Sequence, residues 1–167
     1  MQILVDADSC PRQVRELILR TCIRLNMQSN IQSNNPSYNQ ANIKAVFVAN
    51  HPIPDISGEH AVMEICPPGE GSADDRIVAL AQPGDLAVTR DIPLAERLVE
   101  AQVCVLDDRG RVYTKENIRY CRSLRDFSIG LANNGLGPER IALYGRKELK
   151  NFADSFDREL TKLRAYQ

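Results

Sequence analysis

The sequence lacks any apolar run that approaches the roughly 18 residues of a membrane-spanning helix, and this absence excludes a transmembrane protein. It also lacks internal repeats and a Cys-x-x-Cys pair, and its five cysteines, at positions 10, 22, 66, 104 and 121, are scattered. Such cysteines indicate reduced thiols in a core rather than a disulfide framework. The first residues already have the character of a β-strand, so we expect no signal peptide and a cytoplasmic location.

Charge is unevenly distributed along the chain, although the net charge is only −1. Residues 1–108 carry 8 Lys and Arg against 15 Asp and Glu, whereas residues 109–167 carry 13 against 7. An acidic first part and a basic second part suit a metal site beside a surface that binds a polyanion. Ordinary solvated helix surfaces would give the same totals, so charge alone does not decide the function.

The chain is organised around residues 3–11, Ile-Leu-Val-Asp-Ala-Asp-Ser-Cys-Pro. Three β-favouring apolar residues without polar alternation predict a strand that is buried on both faces. Pro11 suits the first turn of a helix, because the missing N–H of proline is no loss there. Asp6 and Asp8 are therefore predicted at the carboxyl end of a strand, where open α/β sheets bind ligands. Asp8 or Ser9 can instead cap the helix, but this leaves Asp6 unexplained.

Strand-like and helix-like segments alternate along the rest of the chain, which predicts an α/β fold with a doubly wound, mainly parallel five-stranded sheet. An uncharged stretch at 28–42, rich in Asn, Gln and Ser, predicts a mobile surface loop. The predicted strands are 3–5, 43–49, 61–66, 85–89 and 103–106, with a short edge element at 112–113. The predicted helices are 11–27, 72–81, one that starts at Pro93, 115–132 and 146–163.

Carboxylates lie at the ends of three predicted elements: Asp6 and Asp8 after the first strand, Asp74 and Asp75 at a helix start, and Asp91 after the fourth strand. With the strand order 3-2-1-4-5, the first and fourth strands are neighbours and the topological switch point falls between them. Asp6 and Asp91 would then flank one crevice. The helix that begins near Asp74 leads into the fourth strand, so its first turn can face the same crevice.

Several carboxylates in one crevice repel one another unless a hard cation neutralises them. Mg²⁺ or Mn²⁺ takes oxygen ligands, keeps several waters and bridges to phosphate oxygens. One or two such ions can activate water and stabilise the leaving oxygen in phosphodiester hydrolysis. The acids also have structural interpretations, because Ser72 to Asp75 match a capping box and Asp91, shortly before Pro93, can make a turn.

Eight motifs lie in order over most of the chain: Val-Asp-Ala-Asp-Ser-Cys-Pro (5–11), Phe-Val-Ala-Asn (47–50), Ala-Asp-Asp-Arg-Ile-Val (73–78), Pro-Gly-Asp-Leu-Ala-Val-Thr-Arg-Asp-Ile-Pro-Leu-Ala (83–95), Leu-Asp-Asp-Arg-Gly (106–110), Tyr-Thr-Lys-Glu-Asn-Ile (113–118), Arg-Asp-Phe (125–127) and Gly-Pro (137–138). With these motifs the chain resembles the YaiI/YqxD family of largely uncharacterised bacterial proteins. That family is similar to the wider PIN/NYN-like nuclease group. The resemblance implies a PIN-like fold, nuclease chemistry by inference from the group, and a metal site at Asp6, Asp74 and Asp91 with Asp8 and Asp75 as auxiliary acids.

We expect a single PIN-like domain over 1–167, with an α/β core at 1–108 and a C-terminal helical extension at 109–167. Two features depart from the family pattern. The uncharged stretch at 28–42 resembles an insertion, and Gly71 stands where another Asp is expected.

The expected function is a Mg²⁺- or Mn²⁺-dependent nuclease that hydrolyses phosphodiester bonds. RNA is the expected nucleic-acid partner, no membrane partner is expected, and a homodimer is compatible with the sequence. Asp6, Asp74 and Asp91 would hold the metal with help from Asp75, and Asp8 would orient or activate water. The candidates for contacts with the phosphate backbone or with the surroundings of the metal are Ser9, Asn50, Thr89, Arg109, Arg122 and Arg125.

Each of Arg109, Arg122 and Arg125 can equally be a surface charge. Two other classes of function also stay open. A binding or regulatory module with a degraded site would bind RNA with salt sensitivity but would not cut it. A haloacid-dehalogenase-like phosphatase is suggested by Ile-Leu-Val-Asp-Ala-Asp at residues 3–8. That chemistry needs a Lys and a later acidic pair, whereas no Lys lies between residues 45 and 114, and Asp74 and Asp75 come early, at a helix start.

Overall fold

The computed structural model describes residues 1–32, 43–54, 56, 58–134 and 143–165, with only the backbone described at 29–32. One mixed sheet lies at its centre. The strands are β1 (Gln2–Asp6), β2 (Lys44–Ala49), β3 (Ala61–Ile65), β4 (Leu86–Val88), β5 (Cys104–Leu106) and β6 (Val112–Tyr113). Their spatial order is β3-β2-β1-β4-β5-β6, parallel throughout except for β6. The predicted order 3-2-1-4-5 is confirmed, and β6 is the predicted edge element.

Helices cover both faces of the sheet. They are α1 (Arg12–Gln32), α2 (Ser72–Leu80), α3 (Ile92–Glu100), α4 (Ile118–Asn133) and α5 (Arg146–Ala165). Helices α1 and α5 pack on one face, and α2, α3 and the start of α4 pack on the other. In the described ranges, no helix combines the length and the apolar character needed to cross a membrane.

Strand β1 lies in the middle of the sheet because its side chains are apolar on both faces. Ile3, Leu4 and Val5 are fully buried. Ile3 and Val5 pack towards α1 and α5, whereas Leu4 packs towards α2 and α3. Burial on both faces removes the need for alternation, and it explains the continuous apolar run in the sequence. The same run ends at Asp6, so the first carboxylate is held rigidly at the carboxyl edge of the sheet.

Helix α1 is longer than the sequence predicts. The apolar stripe indicates an end near residue 27, but α1 continues to Gln32. The loop prediction for 28–42 is therefore wrong at 28–32, and its remaining residues, 33–42, lie outside the described ranges. The five added residues contain neither Pro nor Gly, so none of them is a strong helix breaker. Four of the five are polar, and the apolar spacing that predicts the helix therefore ends before the helix does.

The C-terminal helices are connected to the sheet in different ways. Thr114 caps the turn before α4, because its hydroxyl accepts from the Asn117 N–H at 3.3 Å and the Asn117 side chain accepts from the Thr114 N–H at 2.9 Å. Helix α4 consequently starts at Ile118 rather than at 115. Helix α5 buries Phe152 and Phe156 against α1 and the sheet, with their rings stacked 5.3 Å apart. Helix α5 therefore contributes to the main core of the fold.

Candidate functional site

An open cavity of about 550 Å³ lies at the carboxyl edge of the sheet, where β1 and β4 end. It collects six of the residues that the sequence predicts for the site. Its lining consists of Asp6, Asp8, Ser9, Asn50, Gly71, Ala73, Asp74, Arg90 and Asp91. The predicted candidates Asp75, Thr89, Arg109, Arg122 and Arg125 are not part of this lining.

Asp6 is the most firmly held carboxylate of the cavity. It is 7% exposed, and its Oδ2 accepts hydrogen bonds from the Ser9 hydroxyl at 2.6 Å and from the Thr89 hydroxyl at 2.8 Å. The Thr89 oxygen in turn accepts from the Asp91 N–H at 3.0 Å. Thr89 itself is buried beneath the cavity. Ser9 and Thr89 therefore fix the orientation of Asp6 and connect it to the start of α3.

Asp8 joins the loop after β1 to the loop after β2. Its Oδ2 accepts from the backbone N–H of Asn50 at 2.9 Å, and its Oδ1 lies 2.9 Å from Nδ1 of His51. Both oxygens thus face the β2 loop rather than the first turn of α1. The helix-cap interpretation of Asp8 is wrong, because its carboxylate holds the rim of the cavity together instead.

Asp74 and Asp91 each lie at the start of a helix, but only one of them caps it. Asp91 precedes α3, and its Oδ1 accepts from the Leu94 N–H at 2.9 Å, as an N-cap residue does. At α2 the capping box is not formed, because the residue before the helix is Gly71, with φ 76°, and no side chain caps the end. Asp74 therefore forms no capping box, although it lies in the first turn of α2, where an acid is favourable, and its carboxylate lines the cavity.

The electrostatics of Asp74 show that the carboxylates act on one another. Burial raises the pKa of the Asp74 carboxyl above its ordinary value, and the carboxylates of Asp91 and Asp6 raise it further. Arg97 opposes this effect. Acids from three separate segments therefore lie close enough to repel one another, as the predicted strand order requires.

Asp75 and Arg122 are ion-paired away from the cavity. Asp75 Oδ1 lies 2.8 Å from Nη2 of Arg97, which joins α2 to α3. Arg122 Nη1 lies 2.6 Å from Oε2 of Glu96, which joins α4 to α3. Both side chains therefore connect neighbouring helices on one face of the sheet. Asp75 adds only a small repulsion at Asp74 and does not line the cavity.

Arg109 and Arg125 also lie outside the cavity. Arg109 follows β5, where its guanidinium lies 6.0 Å from the centre of the Tyr144 ring and 3.9 Å from a Glu148 oxygen. Arg125 lies on α4, with Nη1 3.7 Å from Oδ1 of Asp126. These two candidates are therefore separated from each other and from the carboxylates.

Two residues of the site were missed by the sequence reasoning, namely Arg90 and Asp108. Arg90 lines the cavity, and its Nε lies 3.4 Å from Oδ1 of Asp108. Asp108 is only 2% exposed, and burial raises its pKa while Arg90 lowers it. In the described part of the chain its Oδ2 has no hydrogen-bond partner. The available signal was topological, since the two residues follow the neighbouring strands β4 and β5.

The donor set determines which ions the cavity can accept. Among the described residues, no three His, Cys, Asp or Glu side chains are close enough as placed to surround one ion. This arrangement does not fit a closed, zinc-type site. It does fit Mg²⁺ or Mn²⁺ held by one or two carboxylates and several waters. Cys10 is not part of the cavity lining, and burial raises the pKa of its thiol to about 12.

The burial of Asp74 and the repulsion from its neighbouring carboxylates predict that Asp74→Asn stabilises the metal-free protein at neutral pH. A raised pKa in the folded state means that the folded chain binds protons more tightly than the unfolded chain, so stability falls as pH rises through that pKa. Asparagine removes the charge, and we expect the melting temperature at pH 7 to rise by roughly 2 °C. Thermal unfolding in chelator-treated buffer, followed by circular dichroism as a function of pH, measures the effect.

Asp75→Asn is the matched control for this experiment. Its side chain is 74% exposed and ion-paired with Arg97, so its removal should give no gain in stability. The difference in melting temperature between Asp74→Asn and the wild type should vanish in acid, because Asp74 is then protonated and as neutral as asparagine. A lower melting temperature of Asp74→Asn at pH 7, or an increase that persists in acid, would contradict the destabilising effect assigned to the Asp74 charge.

Comparisons with known proteins agree with the motifs. A family model described as "Uncharacterized BCR, YaiI/YqxD family" matches residues 36–162. A UPF0178 protein of Treponema pallidum (strain Nichols) is 44% identical over 163 residues, which are 98% of this chain and 83% of that relative. A UPF0178 protein of Syntrophobacter fumaroxidans is 42% identical over 168 residues, which are 97% of this chain and 95% of that relative. No solved structure matches the chain. The chain belongs to the YaiI/YqxD family, which confirms the resemblance.

Proposed function

We propose that this member of the YaiI/YqxD family is a Mg²⁺- or Mn²⁺-dependent nuclease that hydrolyses phosphodiester bonds of RNA. The observation that carries the proposal is the convergence of Asp6, Asp74 and Asp91 in one open cavity, where burial and then the carboxylates of Asp91 and Asp6 raise the pKa of Asp74. Such mutual repulsion is a stability cost that active sites accept for function. A cation in the cavity would relieve it.

One or two of the carboxylates of Asp6, Asp74 and Asp91 would hold the cation directly, and water molecules would complete its coordination. A divalent ion, when bound, supplies the positive charge that activates water and stabilises the leaving oxygen. Asp6 would contribute a carboxylate of fixed direction, because Ser9 and Thr89 both donate to its Oδ2. Asp8, at the rim, would orient the attacking water, and Asn50 holds Asp8 in place through its backbone N–H.

Arg90 is the proposed phosphate contact. Among the described residues that line the cavity it is the one cationic side chain, and about half of it is exposed. The buried carboxylate of Asp108 anchors its Nε, which leaves the outer guanidinium nitrogens for an anion. Arginine suits this task because its planar fork binds phosphate oxygens in pairs.

A binding module that does not cut RNA is the second candidate. It is favoured by the lack, among the described residues, of three acidic ligands close enough to surround one ion. It is also consistent with the engagement of both oxygens of Asp8 by the β2 loop. Both candidates predict salt-sensitive binding of RNA, and only the presence of products distinguishes them.

The proposal is tested by incubating the protein with labelled single-stranded RNA and Mn²⁺, Mg²⁺ or EDTA. We expect shortened RNA with either ion and intact RNA with EDTA, while calorimetry shows binding of Mn²⁺ to the protein alone. Binding without products would select the second candidate. Turnover of a small phosphomonoester with intact RNA would indicate the phosphatase chemistry instead.

A binding experiment in the same buffers tests the contact assigned to Arg90. Arg90→Ala should weaken RNA binding and reduce the slope of log affinity against log salt by about one. Arg122→Ala is the control, because its guanidinium is already paired with Glu96 outside the cavity. Equal effects of the two substitutions would assign the RNA contact to general surface charge.

A further inference from the structure

Helix α4 stops packing on the domain after its first turn. Ile118 and Cys121 are buried against α3, and Arg122 is paired with Glu96. From residue 122 to residue 133, no described side chain is buried. The sequence predicts one side of the helix with Ile118, Cys121, Leu124 and Ile129, but Leu124 and Ile129 are 42% and 44% exposed. Helical geometry also turns Leu124 away from the side of Ile118, so that part of the prediction is wrong. About three turns of helix therefore extend without support from the rest of the described chain.

The outward face of this free part carries an apolar stripe. Tyr120 and Phe127 are 66% and 65% exposed, Leu124 is exposed, and Leu131 is half-buried. These four residues, called the α4 stripe from here on, are separated by four, three and four positions. On a helix of about 3.6 residues per turn, such spacing gives one continuous face, opposite the face of Ile118.

The residues beside the α4 stripe suit another helix better than a nucleic acid. Ser123, Ser128 and Gly130 flank the stripe, and they are small and uncharged, which allows a close approach of two backbones. The three arginines of the helix, Arg119, Arg122 and Arg125, lie off the stripe, and Arg122 and Arg125 are close to the acids Glu96 and Asp126. Surfaces that bind single-stranded RNA instead combine stacked aromatics with a positively charged groove.

We propose that the α4 stripe is a dimer interface, in which it packs antiparallel against the same stripe of a second copy of this chain. A two-fold axis that passes between Leu124 and Phe127 places Leu124 against Phe127 of the other copy. The same axis places Tyr120 against Leu131 of the other copy. Each aromatic ring then meets a leucine, so the stripe is complementary to itself, as a two-fold interface requires.

The exposed area of the α4 stripe limits how much surface this interface can bury. An aromatic side chain buries about 150–250 Å² when fully covered. With two rings at about two-thirds exposure and two leucines, each copy would bury roughly 400 Å², about half the usual share of a stable interface. The proposed dimer is therefore expected to be weak and reversible, and to be populated at high protein concentration.

Sedimentation velocity over a wide range of protein concentrations tests the interface. The wild type should pass from monomer to dimer as concentration rises, and Leu124→Glu should remain a monomer throughout. Ile129→Glu is the matched control, because position 129 is equally exposed on the same helix but lies off the stripe. It should dimerise like the wild type. Circular dichroism melts of both variants verify that they are folded.

A charge pair across the axis tests the register. Leu124→Glu and Phe127→Lys, each monomeric alone, should form a heterodimer when mixed, since the two new side chains face each other. Leu124→Glu mixed with Tyr120→Lys should not, because Tyr120 faces Leu131. A wild type that stays monomeric at all concentrations, or equal association in both mixtures, would overturn the proposal. So would stripe variants that lose RNA binding while the oligomeric state is unchanged, a result that would identify a nucleic-acid surface.

Discussion

Asp74→Asn is expected to abolish the cutting of RNA with Mn²⁺, whereas Asp75→Asn is expected to leave it nearly unchanged. The two residues are adjacent in the first turn of α2, and both are acids in the sequence motif. Only Asp74 lines the cavity, because the side chain of Asp75 turns to Arg97 at 2.8 Å. A comparison of the two variants therefore distinguishes a role in the site from a general effect of negative charge at the start of α2.

The expected size of the difference follows from the role of the carboxylate. Asp74 would act by holding the cation that stabilises the transition-state charge, and removing one such preorganised contribution typically lowers the rate by about 100- to 1000-fold. We expect a loss of this size for Asp74→Asn, together with weaker binding of Mn²⁺ in calorimetry. Binding of RNA should survive or tighten, since a negative charge near the phosphate is gone. Asp75→Asn should change the rate by no more than a few fold.

Single-turnover cleavage rates, measured with excess protein, make the comparison. Both variants are first checked for folding by thermal unfolding, where Asp74→Asn should be at least as stable as the wild type. Equal rates for wild type and Asp74→Asn would remove Asp74 from the catalytic set. Equal losses in both variants would mean that the charge of the helix start, rather than the cavity, determines the activity.

The sequence was most informative where one physical constraint determined the local structure. The apolar run at residues 3–5 required a strand buried on both faces, and the acid that ends it had to lie at the carboxyl edge of the sheet. The alternation of strands and helices then indicated a doubly wound sheet, and the order 3-2-1-4-5 assumed for that sheet placed Asp6 and Asp91 at one crevice. These predictions follow from chain topology, which a single sequence can convey.

Predictions that depended on side-chain direction succeeded less well. A sequence does not show that Asp75 turns to Arg97 while Asp74 turns inward, since adjacent helical residues point about 100° apart in an orientation fixed by packing. Nor does it show that Arg90 meets Asp108, because that contact joins two loops after neighbouring strands. Asp8 is a similar case, since its carboxylate is held by the distant loop after β2.

Gly110→Ala is expected to destabilise the fold strongly, and Gly84→Ala only mildly. Both glycines lie in turns in the left-handed region, with φ of 88° and 87°. A Cβ at position 84 would meet nothing within 4 Å. A Cβ at position 110 would lie 2.7 Å from the carbonyl carbon of Asn151 and 3.0 Å from the nitrogen of Phe152. Those atoms belong to the backbone of α5, so they cannot rotate away as a side chain would.

The two substitutions share the cost of a left-handed alanine, about 1 kcal/mol, and differ in the collision with α5. Overpacking adds roughly 1–3 kcal/mol, so Gly110→Ala should lower the melting temperature by about 10 °C and Gly84→Ala by about 3 °C. Thermal unfolding of the two variants under identical conditions measures the difference. Similar melting temperatures would mean that α5 can move away from the turn after β5. A large gap would show that α5 is held tightly against this turn, close to the loop from which Asp108 anchors Arg90.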